Sequence, residues 1–193
     1  MQTQQLRIVA GALRGRKIRC SVDRELRPTP DRVREALFSI LGNAVPGRIF
    51  FDIFAGTGVF GIEALSRGAK SAIFIERNFH LCREIEHHLD AFGLGRVGRT
   101  LKTDAYSWAN LWKAPAEPVN LFVSPPFPDY ENRPDTMLQL VANLQEKAFP
   151  DSVLTLQAER CELLDKLPLR EQWDERRYGR NYLLIWVKEE PTV

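Results

Sequence analysis

Apolar and polar positions along the chain fall into blocks of two periods. Short runs rich in β-branched and aromatic residues, at 49–53, 71–76, 98–103, 119–123, 152–158 and 182–188, predict strands. Between them, 59–67, 79–92, 105–112 and 135–148 carry helical spacing; in the second, Leu81, Ile85, Leu89 and Phe92 form one apolar stripe. Strands alternating with helices imply a parallel sheet built from crossover units. Residues 6–20 predict a β-hairpin around Gly11 to Gly15, and Asp31 to Leu41 a helix capped near Thr29 and ended by Gly42. Near the other terminus, Trp173 to Tyr178 turns through Gly179 into Asn181 to Val187, a second hairpin. The expected organisation is one domain over 1–193, with 1–22 as an arm; no internal repeat, low-complexity segment or second domain is evident.

The run Val119 to Val123 stops in Ser124-Pro125-Pro126-Phe127. Proline lacks an amide proton and restricts the residue before it, so the strand must leave its ladder here. A small polar group, two rigid rings and an aromatic face are thereby delivered to the carboxyl edge of the sheet, where open α/β sheets bind ligands. Such a group suits the amino group of a planar heterocycle.

A second site follows from Phe51-Asp52-Ile53-Phe54-Ala55-Gly56-Thr57-Gly58-Val59-Phe60-Gly61, which runs from a strand through glycines into a helix. Glycines allow a sharp turn and close approach to a ligand. Glu76, ending the next strand twenty residues after Gly56, is placed to accept hydrogen bonds from ribose hydroxyls. Together these predict a nucleoside-containing cofactor. The spacing of Gly56, Gly58 and Gly61 also satisfies a dinucleotide pattern, a weak signal by itself. Asp52, four residues before Gly56, would repel a pyrophosphate but could hold the ammonium of S-adenosylmethionine.

On these blocks, together with Arg7-Ile8-Val9-Ala10-Gly11, Arg14-Gly15-Arg16-Lys17 and Leu26-Arg27-Pro28-Thr29-Pro30-Asp31-Arg32-Val33-Arg34-Glu35-Ala36-Leu37-Phe38, the chain resembles the bacterial 16S ribosomal RNA (guanine-N2)-methyltransferases from about Leu6 to Val187. The resemblance implies a Rossmann-like methyltransferase fold: a mostly parallel seven-stranded sheet with one antiparallel strand near the C-terminus, plus the small N-terminal hairpin arm. It implies S-adenosylmethionine bound by Asp52, Phe54, Ala55, Gly56, Thr57, Gly58 and Glu76, with Asp104 meeting the adenine amino group, although Asp104 also reads as a helix cap. It makes Ser124, Pro125, Pro126 and Phe127 the catalytic turn. Ser124 Oγ and the Pro125 carbonyl would accept the guanine amino protons, and Phe127 would stack on the base. The family's motif normally opens with Asp, where this chain has Ser124. The other readings are an amino-methyltransferase for another RNA or DNA base, an RNA-binding ribosome-assembly factor with weakened catalysis, and a dehydrogenase, which ranks last.

The formal net charge of +2 conceals an asymmetry. Residues 1–48 hold ten Lys or Arg against four acids, a net of +6, and no acid precedes Asp23. Concentrating cations in an arm favours nucleic-acid contact over a merely solvated face. The expected RNA contacts are Arg7, Arg14, Arg16, Lys17, Arg19, Arg27 and Arg32, and the expected partner is ribosomal RNA in a small-subunit assembly intermediate. Cys20, Cys82 and Cys161 are widely spaced and predict reduced thiols. His80, His87 and His88 predict a helix surface, with no metal site. No signal-peptide pattern or membrane-length apolar run occurs, so a monomer in the cytoplasm is expected.

Overall fold

The computed structural model describes residues 2–22 and 29–190. The arm is an antiparallel pair, β1 (Gln2–Arg7) and β2 (Lys17–Val22), in register from Gln2 opposite Val22 to Arg7 opposite Lys17. After α1 (Asp31–Leu41), the main sheet is built from β3 (Ile49–Ile53), β4 (Ser71–Glu76), β5 (Gly98–Lys102), β6 (Val119–Val123), β7 (Val153–Glu159), β8 (Asp174–Tyr178) and β9 (Asn181–Val187). Their spatial order is β5-β4-β3-β6-β7-β9-β8. The first five lie parallel, and β9 runs antiparallel between β7 and β8. The crossovers are α2 (Val59–Ser66), α3 (Phe79–Ala91), α4 (Ala105–Leu111), α5 (Asp129–Asn132) and α6 (Pro134–Lys147).

Successive strand residues point to opposite faces, and this divides the core. Phe50, Phe74, Phe122 and Leu183 face a layer made by the arm, α1, α2 and α3. Phe51, Ile75, Leu121 and Leu184 face α4, α6 and the loop carrying Leu163 and Leu164. Gly61 in α2 lies where a Cβ would come within 2.3 Å of the Phe74 ring, so only glycine lets the helix close on the sheet.

Several details depart from expectation, most by a residue at an element's end, and the arm's strands reach out to Gln2 and Val22 rather than spanning 6–20. α1 is capped by Pro30 with no side-chain bond, because the Thr29 hydroxyl is engaged with Gln157 of β7 (3.1 Å). β7 starts one residue later than the pattern implies, at Val153. His88 is buried rather than on a helix surface, its Nε2 lying 2.8 Å from the Arg19 carbonyl; His80 and His87 are exposed as expected. The three cysteines are free thiols.

Candidate active site at the carboxyl edge

Because β3, β4, β5, β6 and β7 are parallel, the ends of all five meet at one edge. The chain leaves β3 through Phe54, whose φ of 64° is a left-handed conformation costly for a non-glycine residue. Gly56 (φ 52°) and Gly58 (φ 71°) complete the turn into α2. Glu76 pins this loop: its Oε2 accepts from the Gly56 amide (2.9 Å) and its Oε1 from the Asn78 amide (2.8 Å). Asp52 is 1% exposed, and its Oδ2 accepts from the Gly61 amide (2.9 Å) at the start of α2. Burial raises its carboxyl to about 8, against the pull of the Gly61 N–H and reinforced by the charge of Glu76.

Four of the amides that a dinucleotide pyrophosphate could use are already occupied. Gly56 N is held by Glu76, Gly58 N by the Ala55 carbonyl (2.7 Å), Val59 N by Thr57 Oγ1 (3.4 Å) and Gly61 N by Asp52. Asp52 and Glu76, with no Lys or Arg between residues 52 and 61, make an acidic cradle, suited to a cationic adenosyl compound rather than to phosphates. Asp104, at the end of β5, caps α4 by accepting from the Ser107 amide (2.9 Å), so the helix-cap reading describes its bond in this structure.

One strand away from β3, the chain leaves β6 at Ser124. Its amide continues the pairing by donating to the Ile53 carbonyl (3.1 Å), so Ser124 stands directly beside the glycine turn. Pro125 is buried, Pro126 exposed and Phe127 half-buried. Ser124 Oγ donates to Gln157 Oε1 (3.3 Å), and Gln157, 2% exposed, donates in turn to Thr29 Oγ1 (3.0 Å) and Asn181 Oδ1 (3.2 Å). Gln157 looked in the sequence like one polar residue in an apolar strand; the β6–β7 register, with Val123 opposite Leu156, brings it beside Ser124.

A further wall was also not legible. Tyr106 Oη donates to Asp129 Oδ2 (2.7 Å), the Phe54 ring meets Tyr106 edge-on (5.2 Å between centroids), and the Arg133 guanidinium lies 4.2 Å over the Tyr106 ring. Burial, with the Asp129 contact, drives the phenol pKa far up, so Tyr106 stays neutral. Asp129 follows the proline turn by three residues, the one hint in the sequence.

The expected RNA-contacting residues divide. Arg7, Arg14, Arg16, Lys17 and Arg19 are exposed on the arm, whereas Arg32 lies on α1 beside the β8–β9 turn, its guanidinium close to Gly179. Arg27 lies outside the described residues. Lys17 and Arg19 share a cleft of about 540 Å³ with His80, Arg83 and His87 of α3. Arg16 stacks on Phe92 at its rim (4.7 Å). Glu84 in this cleft is taken up by Ser21, through the amide (3.0 Å) and the hydroxyl (2.5 Å). The arm itself is anchored by Glu63 of α2, whose two oxygens accept from the amides of Val9 (2.8 Å) and Ala10 (3.0 Å). Gly11 fits so closely over α2 that a Cβ there would overlap the Ser66 carbonyl.

The family model described as conserved hypothetical protein 95 matches residues 6–187. The chain belongs to that family. Its relatives include ribosomal RNA small subunit methyltransferase D of Escherichia coli strain K12, 38% identical over 123 residues, which cover 64% of this chain and 61% of that protein. Another, "Putative rRNA methyltransferase YlbH" of Bacillus subtilis strain 168, is 34% identical over 100 residues, 52% of this chain and 54% of the relative. The matched stretches thus span less than two thirds of these relatives. The solved structure of "Putative methyltransferase yhhF" from Escherichia coli superposes with a TM-score of 0.78 at 28% identity, covering 96% of this chain and 99% of that one. The chain thus has the Rossmann-like methyltransferase fold expected of it, seven strands with β9 antiparallel and the arm added at the front. Among the described residues, no helix is long and apolar enough to cross a membrane.

Proposed function

We propose that this chain is an S-adenosylmethionine-dependent methyltransferase acting, as a monomer in the cytoplasm, on the exocyclic N2 amine of a guanine in small-subunit ribosomal RNA within an assembly intermediate. Residues 1–193 act as one methyltransferase domain with 1–22 as its RNA-gripping arm. The observation that carries this reading is the adjacency of two unlike sites: a glycine turn with four amides filled and its acids buried, and beside it a Ser-Pro-Pro-Phe turn.

When bound, S-adenosylmethionine supplies an electrophilic methyl on a sulfonium. Glu76 takes the ribose hydroxyls, Asp52 supplies negative charge beneath the loop, and Phe54 with Ala55, Gly56, Thr57 and Gly58 shapes the cradle. Asp104 adds a contact at the adenine. The N2 lone pair of guanine is delocalised into the ring, so the chain must orient it. Ser124 Oγ and the Pro125 carbonyl accept its protons, favouring a pyramidal nitrogen; Pro126 stiffens the turn. Phe127 stacks on the base. Extruding that base costs a few kcal/mol, and an aromatic stack returns about 1–3.

Transfer of labelled methyl to small-subunit RNA or its assembly intermediates, followed by mapping of the labelled guanine, tests the proposal. Methyl on N2 supports it; RNA binding without transfer to any of these substrates would leave the assembly-factor reading in its place.

Burial has raised the Asp52 carboxyl to about 8, which gives cofactor binding a pH dependence. Between the ordinary carboxylate range and about 8, the folded chain keeps a proton that the unfolded chain releases, so this group's contribution to stability falls as pH rises through that window. A cationic ligand favours the ionised form, so binding below about 8 should expel the proton. Affinity should then rise with pH, by at most about tenfold per unit for one proton, and level off above that value. Calorimetry on wild type and Asp52→Asn checks this; equal slopes in both would refute it.

For the arm, replacing Arg14, Arg16, Lys17 and Arg19 by alanine should weaken binding to many RNA sequences alike. The dependence of log affinity on log salt should flatten by roughly 0.7–0.9 per lost phosphate contact. An unchanged slope would show that the cations are merely solvated.

A further inference from the structure

A serine differs from an aspartate in one respect that matters beside an amine: its hydroxyl can donate as well as accept. A hydroxyl free to turn its proton toward N2 would meet the amino group donor to donor. In this chain the proton has another destination. Gln157 is buried, its amide nitrogen donates to Asn181 Oδ1 (3.2 Å) and lies 3.0 Å from Thr29 Oγ1, and its Oε1 is left to accept, one lone pair facing Ser124 Oγ at 3.3 Å and the other Thr29 Oγ1 at 3.1 Å. The strand behind it is held as well, since Tyr130 Oη donates to the Gln157 carbonyl (2.7 Å).

We propose that Gln157 is a positioning residue that holds the Ser124 hydroxyl proton, so that Ser124 presents only lone pairs to the substrate and the site selects a reacting atom that carries N–H. This rests on the methyltransferase reading above. Ser124 keeps its proton throughout and is not a base. As the new N–C bond forms and the C–S bond breaks, the surplus proton of the methylated amine leaves to solvent. Thr29, which follows the arm in the chain, and Asn181 at the start of β9 are tied to the reacting edge through the same carboxamide.

The test compares Gln157→Leu, which removes the acceptor, with Gln157→Glu, which keeps an acceptor oxygen, in the full chain. Gln157→Leu should lower kcat about tenfold, the loss of one hydrogen bond, with KM for RNA and calorimetric affinity for S-adenosylhomocysteine within about twofold of wild type. Gln157→Glu should keep kcat within about threefold at pH 8 and gain an acid limb in its pH profile, because the introduced carboxyl, once protonated, would donate instead of accept. Adding Gln157→Leu to Ser124→Ala should cost less than about twofold more, since the first residue acts through the second. Equal losses in the Leu and Glu variants, or additive losses in the double variant, would overturn the proposal. The carboxamide NMR signals of Gln157 give a readout that needs no turnover: they should move in Ser124→Ala, and their constancy would likewise overturn it. A wild type that transfers no methyl at all would instead sink the methyltransferase reading, with the NMR comparison still deciding where the hydroxyl proton resides.

Discussion

Glu63→Ala should cost about 3–5 kcal/mol of stability, a large share of the roughly 5–15 kcal/mol available to a domain of this kind. Glu63 and Arg34 are both fully buried, and Arg34 Nε approaches Glu63 Oε2 at 3.7 Å. Arg67 adds a bond from Nε to Glu63 Oε1 (2.9 Å). The Arg34 Nη2 group donates to the Arg7 carbonyl (2.6 Å) and to Asp31 (3.0 Å), but Nε and Nη1 have no hydrogen bond. Removing Glu63 therefore leaves a buried guanidinium without its buried counter-charge and frees the Val9 and Ala10 amides. At about 2–4 °C per kcal/mol for a chain of this size, the melting temperature should drop by roughly 6–20 °C. Glu63→Gln, which keeps the volume and one acceptor, should fall between. A loss below about 1 kcal/mol in Glu63→Ala would mean the pair stabilises little beyond its desolvation.

Glu76→Ala should weaken binding of S-adenosylmethionine by about a hundredfold or more. Charge-assisted hydrogen bonds contribute about 1.5–3 kcal/mol each, every 1.36 kcal/mol is a factor of ten, and the ribose offers two hydroxyls. The same substitution frees the amides of Gly56 and Asn78, loosening the turn that shapes the cradle. RNA affinity should change little, because the arm lies elsewhere. Calorimetric titration with the adenosyl compound and a separate RNA-binding curve decide the matter. Near-normal cofactor affinity would leave Glu76 only its role in pinning the loop.

The limits of β3, β4 and β6 agree with the sequence pattern to the residue, and the physical cause is punctuation. Glycine and proline stand just beyond two of these runs, and an acid ends the third. The glycine turn, Glu76 and the Ser-Pro-Pro-Phe turn could likewise be placed, since each lies at or just after a strand end. Residues whose meaning depends on a partner far along the chain could not. Glu63 reads as an ordinary helix-surface acid until the arm, 53 residues earlier, folds onto it. Arg34 sits among exposed charges in the sequence yet is sealed beneath the arm. Gln157 needs the β6–β7 register, Tyr106 needs Asp129, and His88 needs the Arg19 carbonyl before any of them acquires a role.

The amide of Ser124 is a rung of the central ladder, bonded to the Ile53 carbonyl, while its side chain turns off the ladder to Gln157. Position 124 is therefore held by main-chain atoms that every residue except proline possesses, and a change of residue there alters the chemistry offered without moving the scaffold that offers it. A different headgroup can be presented from the same socket, and Gln157 beside it is the partner its chemistry has to match.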